Sequence, residues 1–217
     1  MVALSANTYF ATRFRPDDRR AVLWRALYRH FFASLIAPTD CVLELGAGYG
    51  SFINQVVARR RIALDSWEGF LGQLDPDVEG RVADATDLAF LEPASVNFVF
   101  ASNLFEHLDQ AALARILEQL ERALAPGGTI NIVQPNYRYC YREYFDDYTH
   151  VTVYSHITMT DFLEAHGYDV FDCRPRFLPL TIKSRLPVSD ALIRLYLASP
   201  VKPLGKQMLL RARLRSP

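Results

Sequence analysis

The sequence has no cysteine framework. Cys41, Cys140 and Cys173 are odd in number, widely separated and form no CxxC pair. This excludes a disulfide-stapled fold and a zinc knuckle and makes a reducing compartment the default. A long hydrophobic run is also missing, since no apolar stretch approaches the roughly eighteen residues of a membrane-spanning helix. The opening MVALSANTYFATRFRPDDRR has no basic stretch followed by an apolar one, so no secretory signal is expected and the cytoplasm is the expected location. Neither an internal repeat nor a low-complexity tract occurs. What is present is 217 residues, 50% hydrophobic and 22% charged, enough for one well-buried α/β domain with at most a small attachment.

Net charge is absent too, with 24 basic residues against 24 acidic, but the balance conceals an asymmetry. Residues 1–175 carry 15 Lys or Arg against 23 Asp or Glu, whereas residues 176–217 carry nine basic residues and Asp190 alone. A basic tail can favour an anionic surface, lipid or nucleic acid; it can equally be a solvated face beside an acidic domain.

Residues 17–36 place Val22, Leu23, Leu27, Phe31 and Ile36 near one helical face, with Asp17 or Asp18 as N-cap. CVLEL reads as a buried strand, and SFINQVVARR follows with helical spacing at Phe52, Ile53, Val56 and Val57. RIALD and VNFVFASN are strands. QAALARILEQLERALAPGG is a helix with a stripe of Leu113, Ile116, Leu117, Leu120 and Leu124, stopped by Pro126-Gly127-Gly128. TINIVQP is the next strand. Asp161 and Glu164 suggest a capping box for DFLEAHG, followed by the strand YDVFDC. Residues 178–204 are proline-broken around one apolar helix, DALIRLYLAS, and KQMLLRARL can be a last strand. Strands alternating with helices predict a mostly parallel sheet covered on both faces.

VLELGAGYGSF, Val42 to Phe52, carries the chemistry. Gly46, Gly48 and Gly50 let backbone pass close to a ligand. The dinucleotide pattern GxGxxG is not met, because the third glycine comes one place early and Ser51 follows it. Glu44, two residues before Gly46, would repel a pyrophosphate in a low-dielectric crevice and attract an amino or sulfonium group. Asp65 lies nineteen residues after Gly46, where a carboxylate can take both ribose hydroxyls. Asp84, in VADATDLAF, can accept from an adenine amino group, with Ala85 leaving room for the purine; Asp87 competes for that contact. Asn103 sits in SNLFEHL after the fourth strand, with a turn-forming role as its plainer reading.

These segments resemble the class I S-adenosylmethionine (SAM)-dependent methyltransferases, close to the broad bacterial small-molecule family. The matching segments are ELGAGYG, ALD, VADATDL, SNLFEHL and LAPGG, in order and at matching spacing, across residues 38–175. The resemblance implies a Rossmann-like, mostly parallel seven-stranded sheet with helices on both faces and a final antiparallel strand. It implies SAM as cofactor, with Glu44, Gly46 and Gly48 on the methionine side, Asp65 on the ribose, Asp84 and Ala85 on the adenine, and Asn103 at the methionyl end. It further implies a cofactor-covering arm over residues 1–37 and a catalytic domain over 38–217. Within that domain, 137–157 is the substrate-side segment and 178–204 a helical insertion.

Methyl transfer is an in-line displacement, so positioning dominates; a hydroxyl or amine acceptor can also need a base. His107, beside Glu106 at the fourth strand's exit, and His150, in FDDYTHVTVYS, are the candidates. Desolvation without a dedicated base stays open. His30, read as buried in a helix, and His166, at a helix end, are structural. The tyrosine-rich stretch NYRYCYREYFDDYTHVTVYSH is either an acceptor wall or a packed cover. Asp146 and Asp147 show no convergent carboxylates, so no metal site is expected.

The acceptor implied is a small molecule or a glycan- or lipid-linked group, methylated on oxygen or nitrogen. A nucleic-acid methyltransferase is the enzymatic rival, supported by the basic tail but not by SNLF, which is not an Asn/Asp-Pro-Pro-Tyr exit. A non-catalytic SAM-binding partner protein and an NAD-dependent oxidoreductase complete the alternatives. Residues 187–206 could contact a membrane peripherally, seal the sheet, or support a homodimer.

Overall fold

The computed structural model describes residues 17–179 and 188–215. Seven strands form one sheet: β1 (Cys41–Leu45), β2 (Arg60–Asp65), β3 (Glu79–Val82), β4 (Val96–Ser102), β5 (Leu124–Pro135), β6 (Tyr168–Pro179) and β7 (Gly205–Leu214). Their order is β3-β2-β1-β4-β5-β7-β6. The first five are parallel, and β7 runs antiparallel between β5 and β6. Among the described residues five helices accompany them: α1 (Asp18–His30), α2 (Gln110–Ala123), the single turn α3 (Tyr137–Cys140), α4 (His156–Ala165) and α5 (Asp190–Ala198).

The inner strand β1 is buried at every residue, Glu44 included, which is why CVLEL reads as a nearly continuous apolar run rather than an alternation. Alternate residues serve two cores. Leu43, Leu64, Val99 and Ile132 face α2 and α4, whereas Val42, Ala63, Phe100 and Val133 face α1 and α5. On α2 the expected stripe is fully inward, and each of Leu113, Ile116, Leu117 and Leu120 contributes about 1.5–3 kcal/mol by leaving water. Asp109 caps that helix by accepting Ala112 N–H at 2.7 Å. Across the sheet, Phe52 stacks on Phe100 at 4.0 Å between ring centroids, and Trp24 of α1 meets Phe100 edge-on at 5.6 Å.

Several local expectations are corrected. SFINQVVARR does not become an α-helix; only Ile53–Gln55 makes one tight 3-10 turn, and Val57 is 65% exposed. Glu44 takes the Ile53 N–H at 3.0 Å, and the chain must reach β2 within a few residues, which leaves no length for a covering helix. The N-terminal helix ends at His30, and Phe32–Leu35 continues as a 3-10 turn. Asp17 is its cap, accepting Arg19 N–H at 3.0 Å. The segment LAPGG does not separate helix from strand, because β5 starts at Leu124. The capping box of α4 is Ser155 with Thr158, not Asp161 with Glu164, so this helix starts six residues earlier.

His30 is half-buried at a helix end rather than enclosed. Its Nε2 lies 2.9 Å from Asp190 Oδ2 and ties α1 to α5. In α5, Ile193 enters the core while Leu192 and Leu195 stay exposed. No helix among the described residues is long and apolar enough to cross a membrane. The arm expected over 1–37 lies outside the described residues as far as Arg15 and Pro16; from Asp17 it is the α1 region that packs on the sheet. Residues 180–187 of the expected insertion also lie outside the described residues.

Candidate functional site

The strand order reverses between β1 and β4, and the loops leaving those strands open a crevice at their carboxyl ends. Gly46, Gly48 and Gly50 all take positive φ (66°, 55° and 63°), a conformation that side chains with a Cβ resist. The turn is pinned from β2, where Leu64 C=O accepts Gly46 N–H at 2.8 Å and Ala47 N–H at 3.1 Å. A Cβ on Gly46 would meet Leu104 at 3.0 Å, so the glycine turn lies directly against the β4 exit.

Two carboxylates flank this turn. Asp65 Oδ2 accepts Gly48 N–H at 2.8 Å, and its Oδ1 accepts Trp67 N–H at 2.8 Å. Burial pushes the Asp65 carboxyl above its ordinary range, partly opposed by those backbone donors. Glu44, on the neighbouring strand, is buried, and burial raises its carboxyl well above the usual value, with the Asp65 charge adding to the effect. Buried, mutually repelling acids beside open backbone suit a ligand bearing a cation and hydroxyls, not a pyrophosphate.

Asp84 follows β3, where Ala83 N–H donates to Asp65 C=O at 3.1 Å and joins the two loops. The Asp84 carboxylate accepts Thr86 N–H at 2.8 Å and Thr86 Oγ1–H at 2.6 Å, and the hydroxyl bond chiefly holds it below the usual range. Ala85 is buried beneath it. Gln119 of α2 fixes this loop, donating to Thr86 C=O at 2.6 Å and accepting Leu88 N–H at 2.8 Å. Asn103 takes φ +49°, and its Oδ1 accepts from Gln207 Nε2 at 2.9 Å. Glu44, Gly46, Gly48, Asp65, Asp84, Ala85 and Asn103 are thus gathered on the ends of four adjacent strands.

The candidate bases also come together. Val151 N–H and Thr152 N–H both donate to Glu106 C=O, at 2.9 and 3.2 Å, stitching the segment after β5 onto the β4 exit. The His107 and His150 rings lie 4.8 Å apart. Thr149 Oγ1 is 2.6 Å from Asp147 Oδ1 and 2.9 Å from His107 Nδ1. If the hydroxyl donates to the carboxylate, His107 Nδ1 must carry hydrogen, which leaves Nε2 as its lone-pair nitrogen. Burial, aided by His150, lowers His107 to about 4, so it is uncharged at neutral pH.

Two features were missed in the sequence. Trp67 follows Asp65 by two residues and meets Tyr49 of the glycine turn edge-on at 5.3 Å; an aromatic just after the acidic strand end was the available signal. Glu106 is 1% exposed with neither carboxylate oxygen hydrogen-bonded to another residue, and burial raises it to about 8. Only its place before His107 could have marked it. In the tyrosine-rich segment, Tyr144 and Tyr154 pack inward while Tyr141, Phe145 and Tyr148 are exposed.

Residues 42–128 match the family model described as a methyltransferase domain. The matched segment, less than half of the chain, holds the glycine turn, Asp65, Asp84 and Asn103, and it is similar to that methyltransferase domain. No curated protein matches the chain in sequence. Among solved structures it is similar to one titled as the complex of the Haloferax volcanii Trm112 methyltransferase activator with a methyltransferase, at 18% identity and TM-score 0.70, covering 99% of this chain and 100% of that one. A SAM-dependent methyltransferase from Archaeoglobus fulgidus gives 21% identity and TM-score 0.68 over 95% and 99%. One from Mesorhizobium loti gives 18% and 0.61 over 87% and 97%. At these identities the likeness is one of fold.

Proposed function

We infer that the protein is a class I SAM-dependent methyltransferase that moves the methyl group of SAM to a hydroxyl or amine of a small-molecule or glycan- or lipid-linked acceptor. The observation that carries the reading is the pair of buried carboxylates, Glu44 and Asp65, on either side of a left-handed glycine turn. Asp65 would take the ribose hydroxyls, Glu44 the cationic methionine end, Asp84 and Ala85 the adenine, and Asn103 the methionyl backbone. Bound there, SAM supplies a methyl group activated by its positive sulfur.

The chain's own contribution is placement. Gly46 and Gly48 allow backbone approach, and Gln207 holds Asn103 in its left-handed turn. His107, uncharged at neutral pH, can accept a hydrogen bond from an acceptor hydroxyl through Nε2, with His150 beside it. The exposed rings of Tyr141, Phe145 and Tyr148 support an acceptor with an apolar or aromatic body entering from that side.

The test is a screen of acceptor classes with SAM carrying a labelled methyl group, beside calorimetry with SAM and NAD. Label transfer to a hydroxyl or amine compound and saturable SAM binding are expected. Saturable NAD binding without SAM binding would overturn the reading. Turnover that starts only when cell extract is added would make a protein partner part of the function.

A further inference from the structure

The most unusual group in the molecule is the Glu106 carboxylate. It is 1% exposed, and neither of its oxygens has a hydrogen-bond partner on another residue. A buried acid left so is costly, by several kcal/mol if ionised, unless something completes it. What stands beside it is two imidazoles. One ligand atom each from Glu106, His107 and His150 lies within 4.8 Å of the other two.

We propose that Glu106, His107 and His150 bind a divalent transition-metal ion at the mouth of the site. Two imidazole nitrogens and one carboxylate oxygen are a donor set for zinc with an open position, or for octahedral iron(II), manganese(II) or cobalt(II) with several. Metal–ligand bonds of about 2.0–2.2 Å require donors roughly 3–3.5 Å apart, so the three side chains must draw in by about an ångström, within reach of small χ rotations. The backbone is already set for this. Glu106 and His107 share the 3-10 turn Phe105–His107, and the Val151 and Thr152 amides fasten the His150 segment to Glu106 C=O.

The surrounding shell fits as well. The Asp147–Thr149–His107 chain fixes the His107 ring through its Nδ1, as outer partners orient metal-bound histidines elsewhere. Both imidazoles are half-buried, so an ion can enter from their side while Glu106 closes the inner one. The site stands three residues beyond Asn103.

The ion's role rests on the methyl-transfer reading. With His107 spent on the ion rather than accepting from the hydroxyl directly, an open coordination position would hold the oxygen of a hydroxyl acceptor and lower its pKa. The O–H proton then leaves to solvent, the sulfur–methyl bond breaks as the oxygen–methyl bond forms, and the products are demethylated cofactor and methylated oxygen. Ion binding itself is measured without cofactor, so its failure and that of the methyl-transfer reading are distinguishable.

The experiment titrates the full chain, freed of metal with a chelator and desalted, with cobalt(II), zinc(II) and manganese(II) separately. One ion per chain is expected, with a visible cobalt spectrum of low symmetry. Affinity should fall at least tenfold in Glu106→Gln and in His150→Ala and remain unchanged in His166→Ala. Thr149→Val should weaken it by about 10–100-fold, the range for an outer-shell partner. Should Glu106→Gln not fold, paramagnetic broadening of the His107 and His150 ring signals in the unmodified protein gives the same answer. No saturable binding of any of the three ions, or binding undiminished in folded His150→Ala with no broadening of those rings, overturns the proposal.

Discussion

The carboxylate of Asp65 accepts the backbone N–H of Gly48 at 2.8 Å, so the acid at the end of β2 holds the glycine turn that leaves β1. One residue therefore shapes the crevice and offers charge to it. Asp65→Ala should weaken SAM binding by about 1.5–3 kcal/mol, the range for hydrogen bonds to a charged group. Calorimetry on the folded variant checks this, and unchanged affinity would place the ribose elsewhere.

Glu44 links stability to pH. Its native carboxyl is held well above the ordinary 4.5 by burial. Between those values the native chain keeps a proton that the unfolded chain has lost, so stability falls as pH rises. Glu44→Gln should flatten that slope in thermal melts from pH 5 upward, since a Gln Oε1 can still accept Ile53 N–H. Binding of a cationic ligand should ionise Glu44 and release a proton, seen as a dependence of calorimetric heat on buffer ionisation enthalpy. A slope and a proton count identical in wild type and Glu44→Gln would refute both statements.

Asn103 occupies a left-handed conformation at φ +49°. Asn103→Gly should leave stability nearly unchanged, whereas Asn103→Ala should lose about 1–2 kcal/mol, the cost of that conformation for a residue with Cβ. Urea denaturation separates the two. Both variants should bind SAM more weakly, because Gln207 loses its partner.

Gln119 fixes the loop that carries Asp84 through bonds to Thr86 and Leu88. Gln119→Ala should destabilise the protein by about 1–3 kcal/mol by leaving backbone groups unpaired. Hydrogen exchange should show the Leu88 amide losing protection while those of β5 keep theirs. Equal loss at both would mean that Gln119 supports the whole core instead.

The order of the strands, the helices α1, α2 and α5, the glycine turn and the acidic strand ends were legible in the sequence because each is written in neighbouring residues. CVLEL must be a doubly buried strand, and the Leu113–Leu120 stripe must face a sheet. Tertiary structure decided the rest. Helical spacing in SFINQVVARR failed because Glu44 captures the Ile53 amide and the path to β2 is short. The α4 boundary moved because Ser155 and Thr158 satisfied each other's amides first. Gln207 reaches Asn103, and His150 reaches His107, only because β7 slots between β5 and β6 and the chain after β5 folds back on the β4 exit. Local pattern reports which face of an element shuns water. Which distant side chains share a crevice is set by how the sheet pairs, and that pairing is fixed by contacts between residues far apart in the chain.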